Sequence, residues 1–550
     1  MKQNSNMVPS EESRLLEGYD TELPEYKASQ PCITRVEFFS ASNLAGVLLA
    51  SSGVFVSGID QSFITATYVD IASSMKALNN ASLLLTAYSL GYCSALPIYG
   101  RLSDRYGRKL PMLVANFIFG VGCLLSAISY SFWQIILGRA VTGIGAAGMI
   151  SLVSVIITDC VPQSHVASMR SYVSIVSVLG RCSGGVIGAF ILELFGWKWS
   201  FALQVPLVIV GGLACFLLMP ESLEEKSIRD EPFAIKDFDI LGLTFFVLAI
   251  GSYLKATSQD SLEFDFHPDS TLSLAALSSC IFGLLFFATE ILYAKEPFLP
   301  LKHLSGTMNA YLIVQIITFF SEETHIANLP PYFAYAEKFK TSTVAVYLLT
   351  SSAGFSSGSV FGGSIIKKTH RIKIQSIISL ILSVLVYLLI ALQWKQDAHV
   401  IEATYIFLAG FLSGVFLAAT FGAIATTCSR QMIASTITSY YLCDEVGSII
   451  GAGFSTAALR GTFTASLYRE LPDSSQKLKV KNHLGGLKRY QFFQNSSSST
   501  ANSNPKTVPP KLLHDCLYGS RGSDISLAYS SYYSRACDGV VRKILTENCD

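Results

Sequence analysis

Thirteen long, largely apolar stretches set the terms for this chain. They lie at roughly 43–67, 81–100, 110–131, 135–159, 171–193, 200–219, 239–256, 271–293, 308–333, 343–366, 375–393, 402–427 and 431–459. About 20 helical residues cross a hydrocarbon core about 30 Å thick. Within lipid no water is at hand for a backbone amide, so an apolar span must close its own hydrogen bonds as a helix. Charged residues are only 14% of the 550 in the chain, against about 25% in soluble domains. The expected fold class is therefore all-α and polytopic, with the spans grouped six, two and five. A polar tail follows the last span. Its one mildly apolar patch, 525–545, contains Arg535, Asp538 and Arg542 and makes a poor fourteenth span.

This spacing divides the chain. Residues 1–40 are polar and read as a disordered cytoplasmic tail without the apolar core of a cleavable signal peptide. The first span then serves as the insertion signal. A six-helix bundle is expected over 41–222, two linking helices over 236–295, a second helix bundle over 306–460, and a polar tail over 461–550. Lys and Arg in short loops set orientation. Arg101, Arg105, Arg108 and Lys109 follow the second span, and Lys367, Lys368, Arg371 and Lys373 follow the tenth. Both loops fall on one side if the amino terminus is cytoplasmic, and the acidic loop 259–269 falls opposite. The net basic tail is left on either side. The sequon Asn80-Ala-Ser82 would then be lumenal, though close to the second span.

Several classes of function drop out early. A net charge of +1 gives nucleic acid no electrostatic footprint. The twelve cysteines are scattered; Cys93, Cys123, Cys182, Cys215, Cys280 and Cys443 sit in apolar runs, where a thiol behaves as a small hydrophobe. Neither a disulfide framework nor a metal site is expected, and the chain does not read as an enzyme.

The loop Gly100-Arg-Leu-Ser-Asp104-Arg105-Tyr-Gly107-Arg108-Lys109 combines glycines for a tight turn with an aspartate able to pair with arginines or a helix N-terminus. Such a latch can hold one conformation and release in another. A second loop, Gly363-Ser-Ile-Ile-Lys367-Lys368-Thr-His370-Arg371, keeps the glycine and the charge but not the aspartate. It points to an internal repeat. The first loop resembles, at every fixed position, the loop signature of the major facilitator superfamily. Arg139-Ala-Val-Thr-Gly143-Ile-Gly145 and Gly180-Arg181-Cys182-Ser183-Gly184-Gly185 resemble further elements of that family, the second with Arg181 where its antiporter signature has proline. Glu296-Pro-Phe-Leu-Pro-Leu is similar to a phrase of the fourteen-helix drug:proton antiporter branch. Asp60-Gln-Ser-Phe-Ile-Thr-Ala-Thr-Tyr68-Val-Asp70 and Gly196-Trp197-Lys-Trp199-Ser-Phe-Ala-Leu-Gln204-Val-Pro206 are similar to fungal vacuolar basic amino acid transporters. The resemblance implies a facilitator fold of two six-helix-type bundles plus two linking helices, with a substrate site between the bundles.

An ionisable side chain at bilayer depth is a functional candidate by default. Asp60 lies roughly 25 Å along the first span; it is either a cation or proton site or a packing partner. Arg139 in the fourth span either competes for a carboxylate or forms a plain ion pair. Glu322, Glu323 and His325 occur together in the ninth span, with Glu322 and His325 on one helical face. They bind a cation, relay protons, or line a vestibule. Asp444 and Glu445 point about 100° apart, so only one faces a central site squarely; Arg181 is a candidate partner for the other. Carboxylates outnumber fixed cations, which suits a cationic substrate.

The leading functional expectation is a proton-coupled antiporter that needs no cofactor beyond the proton gradient and moves Lys, Arg or His into the vacuole by alternating access. Glu11, Leu15 and Leu16 form an acidic dileucine pattern of the kind an adaptor complex reads for delivery to the vacuolar membrane. The alternatives are a plasma-membrane proton-driven multidrug exporter and a non-transporting membrane relative. The oligomeric state is left open.

Overall fold

The computed structural model describes residues 41–77, 80–161, 163–219, 239–258, 271–293, 306–331, 341–393, 400–427 and 433–470. The dileucine residues Glu11, Leu15 and Leu16, the acidic loop, the Glu296 phrase, the charged 220–238 segment and the tail patch all lie outside them.

Fourteen α-helices make up the regular structure among the described residues. The first bundle holds α1 (Ala41–Ser74), α2 (Leu83–Tyr106), α3 (Lys109–Ala127), α4 (Phe132–Cys160), α5 (Gln163–Phe195), α6 (Trp197–Ala202) and α7 (Gln204–Leu218). The linking pair is α8 (Ile240–Ser258) and α9 (Thr271–Leu292). The second bundle holds α10 (Gly306–Pro331), α11 (Thr341–Thr369), α12 (Ile372–Gln393), α13 (Val400–Thr427) and α14 (Ile433–Glu470). All thirteen expected spans are helical, the sixth in two pieces that meet at Leu203. Helix α14 continues to Glu470, beyond the end of the apolar pattern.

Eight of the described helical segments are long and apolar enough to cross a membrane by length and composition. The helices outside that set, α1, α2, α10, α11 and α14, carry most of the intramembrane charges singled out above. Their polar and charged residues lower their apolarity.

The bundles repeat one packing scheme. In the first, α1 packs on α5, α2 on α4 and α3 on α4; in the second, α10 packs on α14, α11 on α13 and α12 on α13. The cross-bundle contacts repeat too, α2 against α14 and α11 against α5. Gly100 makes the first close: a Cβ there would collide with the Thr438 hydroxyl. Gly363 makes the second, facing Ala167 O, Ser168 and Ser171. Ser171 Oγ donates to Ser359 O at 2.7 Å across the same seam. Gly107 (φ 79°) and His370 (φ 55°), each seven residues after its glycine, both have positive φ. Helix α8 leans on α2 and α14, with Tyr253 Oη donating to Ile450 O at 2.6 Å.

Candidate functional site

The signature loop forms a clamp at one end of the molecule. Arg108 Nη1 donates to Asp104 Oδ1 (3.0 Å) and Ser103 Oγ (2.8 Å), and Arg108 Nε donates to Asp159 Oδ2 (2.8 Å) at the end of α4. Asp104 also accepts from the backbone N–H of Ser435 in the first turn of α14, where helix N–H groups lack intrahelical partners and favour an anion. One carboxylate therefore joins the two bundles. Burial pushes Asp104 up to about 6, opposed by the Arg108 guanidinium. Arg105 occupies the last turn of α2, where a cation complements the helix dipole. Gly107 supplies the turn that releases the chain into α3.

Deeper in the first bundle, Arg139 on α4 donates through Nη1 to Asp60 Oδ2 on α1 at 2.6 Å, with both side chains wholly buried. The guanidinium lies 4.7 Å from the centroid of the Tyr88 ring on α2. Tyr88 Oη in turn is 3.1 Å from Ser57 Oγ and accepts from Gln61 Nε2 at 3.2 Å. Three helices share this network. Asp60 faces the bundle interior, and its partner is Arg139.

The other acidic residues gather between the bundles. Glu322 on α10 hydrogen-bonds Ser413 on α13, and Arg181 on α5 acts electrostatically on both Glu322 and Glu323 from the opposite bundle. Asp444 on α14 accepts from Gln315 Nε2 on α10 at 2.6 Å; the cation facing it is Arg170. Glu445 hydrogen-bonds Ser89 on α2, across the bundle boundary. Asp444 is thus tied within its own bundle while its neighbour reaches out of it. The His325 ring sits edge-on to Tyr387 of α12 at 5.5 Å. Arg181, considered above as a partner for Asp444 or Glu445, acts electrostatically on the α10 glutamates instead.

Sequence reading missed Arg170. Its guanidinium lies 5.7 Å from the Phe421 ring and 5.5 Å from the Tyr441 ring, and it donates to Ser174 Oγ at 3.0 Å. The apolar run starts at 171, which left Arg170 in a loop; α5 in fact begins at Gln163. Gln315, Ser89 and Ser413 carried no signal, since one polar residue in an apolar helix is commonplace.

Two bundles repeating one scheme, joined by a charged latch and keeping carboxylates between them, define a membrane transporter and not an enzyme. The chain belongs to the major facilitator superfamily: residues 50–452 match the family described as Major Facilitator Superfamily. Among its relatives is the vacuolar membrane amino acid uptake transporter fnx2 of Schizosaccharomyces pombe, 25% identical over 79% of this chain and 75% of that one. The multidrug resistance protein fnx1 of the same organism is 25% identical over 77% and 80%. Vacuolar basic amino acid transporter 2 of Saccharomyces cerevisiae is 23% identical over 72% and 85%. In fold, the chain is similar to the human organic anion transporter MFSD10 (TETRAN), with a TM-score of 0.52 at 14% identity, covering 84% of this chain and 99% of that one.

Proposed function

We propose that this protein is a proton-coupled antiporter of the vacuolar membrane that moves basic amino acids by alternating access. The observation that carries the reading is the charge inventory between the bundles. Glu322 and Glu323 feel Arg181, Asp444 feels Arg170, and Glu445 lies beside Ser89 and Glu323, an excess of carboxylates that favours a cationic substrate. Glutamates from α10 and α14 sit in the bundle opposite α5, so a bound cation touches both halves. Relatives that transport amino acids at the vacuolar membrane support the substrate class and the membrane. The buried Asp60–Arg139 pair supports a coupling role, because parting it would strand two charges in low dielectric and loosen three helices together. The dileucine pattern supports vacuolar delivery through an adaptor.

The test is ATP-dependent uptake of labelled lysine into isolated vacuolar vesicles, with and without the gene. Uptake that depends on the gene and collapses with a protonophore is expected; uptake indifferent to the gene sinks the reading. A plasma-membrane drug exporter is the second reading, favoured by the similarity to fnx1. It predicts surface localisation of the tagged protein and drug sensitivity on deletion.

A further inference from the structure

We propose that Arg181 selects amino acids among cationic substrates by holding the α-carboxylate while Glu322 and Glu323 take the positively charged side chain. This rests on the function proposed above. A basic amino acid brings two cationic groups and one anionic group. A site of carboxylates alone would favour the decarboxylated diamine, since the α-carboxylate would meet only like charge. Preference for the amino acid needs one fixed cation with hydrogen-bonding capacity to spare, and arginine's planar fork matches a carboxylate in two-point contact.

The packing of α5 puts Arg181 in that role. Gly180 and Gly184 stack against α1 so closely that a Cβ on either would collide with the Phe55 or Ile59 carbonyl. Arg181 follows Gly180 by one residue, about 100° round the helix, and its side chain leaves that seam and is exposed. It acts on Glu322 and Glu323 across the bundle boundary, yet among the described residues no ion pair joins it to either. The other arginines nearby are committed: Arg139 is locked to Asp60, and Arg170 is packed on Phe421 and Tyr441. A substrate spanning Arg181 and the glutamates ties the first bundle to the second, which makes occupancy itself a signal to close.

The experiment compares labelled lysine with labelled cadaverine, which is lysine without its carboxylate, in proteoliposomes holding the full chain under an imposed pH gradient. Wild type is expected to prefer lysine. Arg181→Gln is expected to raise the KM for lysine about tenfold to a hundredfold and to leave cadaverine uptake unchanged or higher, so the preference inverts. Arg181→Lys keeps the charge without the fork and is expected to fall between. Monodispersity of the purified protein reports folding in each variant. In a monodisperse variant, equal loss of both substrates, retained lysine preference in Arg181→Gln, or improved lysine uptake would each overturn the assignment alone. Wild type that moves cadaverine but not lysine, or neither, overturns the basic amino acid reading and this assignment together.

Discussion

Arg139 Nη1 meets Asp60 Oδ2 at 2.6 Å with neither side chain exposed, and among the described residues Asp60 Oδ1 and Arg139 Nε and Nη2 make no hydrogen bond. A buried pair so sparsely supported depends on both members. Removing one strands a charge in low dielectric, at a cost of about 3–5 kcal/mol. Asp60→Asn is expected to lower the melting temperature of the purified protein and abolish proton-driven uptake. Asp60→Asn with Arg139→Gln is expected to regain the melting temperature without regaining transport. Thermal unfolding in detergent beside vesicle uptake checks this, and full proton-driven uptake by Asp60→Asn would remove the coupling role.

The α1–α5 seam makes a sharper stability prediction. Gly184 faces Ile59 backbone with no room for a Cβ, whereas Gly251 on α8 has no atom within 4 Å of one. Gly184→Val is expected to sink folded yield, because overpacking a close helix contact costs about 1–3 kcal/mol. Gly251→Ala is expected to be neutral or to stabilise by up to about 1 kcal/mol, the helix-propensity gain. Monodispersity and melting temperature separate the two; a well-behaved Gly184→Val would mean the seam is looser than drawn.

How much of this was legible beforehand follows from the physics of each residue. Spans are written in hydrophobicity, so all thirteen were visible, but not the break at Leu203 that divides the sixth. The latch was visible because Gly107, Asp104 and Arg108 each have a conformational or electrostatic reason to sit where they do. The loop repeat needed only Gly363 and the basic residues, and His370 shares a positive φ with Gly107 although not its type. Pairings were another matter. Asp60 was visible as a charge in an apolar span, but its partner on α4 is 79 residues away, and no periodicity carries that distance. The same holds for Arg181: it was marked by its departure from a family pattern and Glu322 and Glu323 by their charge, but nothing in the sequence paired them. Arg170 was hidden because a helix can extend beyond its apolar run.

The latch should respond to pH. Asp104 lies outside the apolar spans, and burial raises it to about 6 when the bundles are joined at this end. Once they part, the carboxyl returns to water and an ordinary value of about 3.9. The joined form therefore binds the proton more tightly. Its added stability is complete below the ordinary value and is lost as pH rises through about 6. Acidifying this side from about pH 7 to about pH 5 is expected to hold the bundles together. Maleimide labelling of Thr438→Cys, beside Gly100, should fall with acid more steeply than the thiol's own titration. The same thiol in an Asp104→Asn background supplies that reference, and matching profiles in the two backgrounds would exclude Asp104 as the sensor.

The carboxylates between the bundles should not be equal. Asp444 is held by Gln315 within its own bundle, and an amide can preserve that hydrogen bond with its carbonyl oxygen. Asp444→Asn is therefore expected to leave the KM for lysine within about threefold, a difference of well under 1.4 kcal/mol. Glu322 and Glu323 face Arg181 across the boundary, and neutralising either removes charge where the cationic group is proposed to bind. A hydrogen bond to a charged group contributes about 1.5–3 kcal/mol, so Glu322→Gln or Glu323→Gln is expected to raise KM about tenfold to a hundredfold. Glu323→Asp, which keeps the charge on a shorter stem, should recover part of that loss. Initial-rate uptake across a lysine concentration series measures all four variants. If Asp444→Asn proved the most damaging and the glutamate variants were silent, the substrate would have to bind on the α14 side of the boundary.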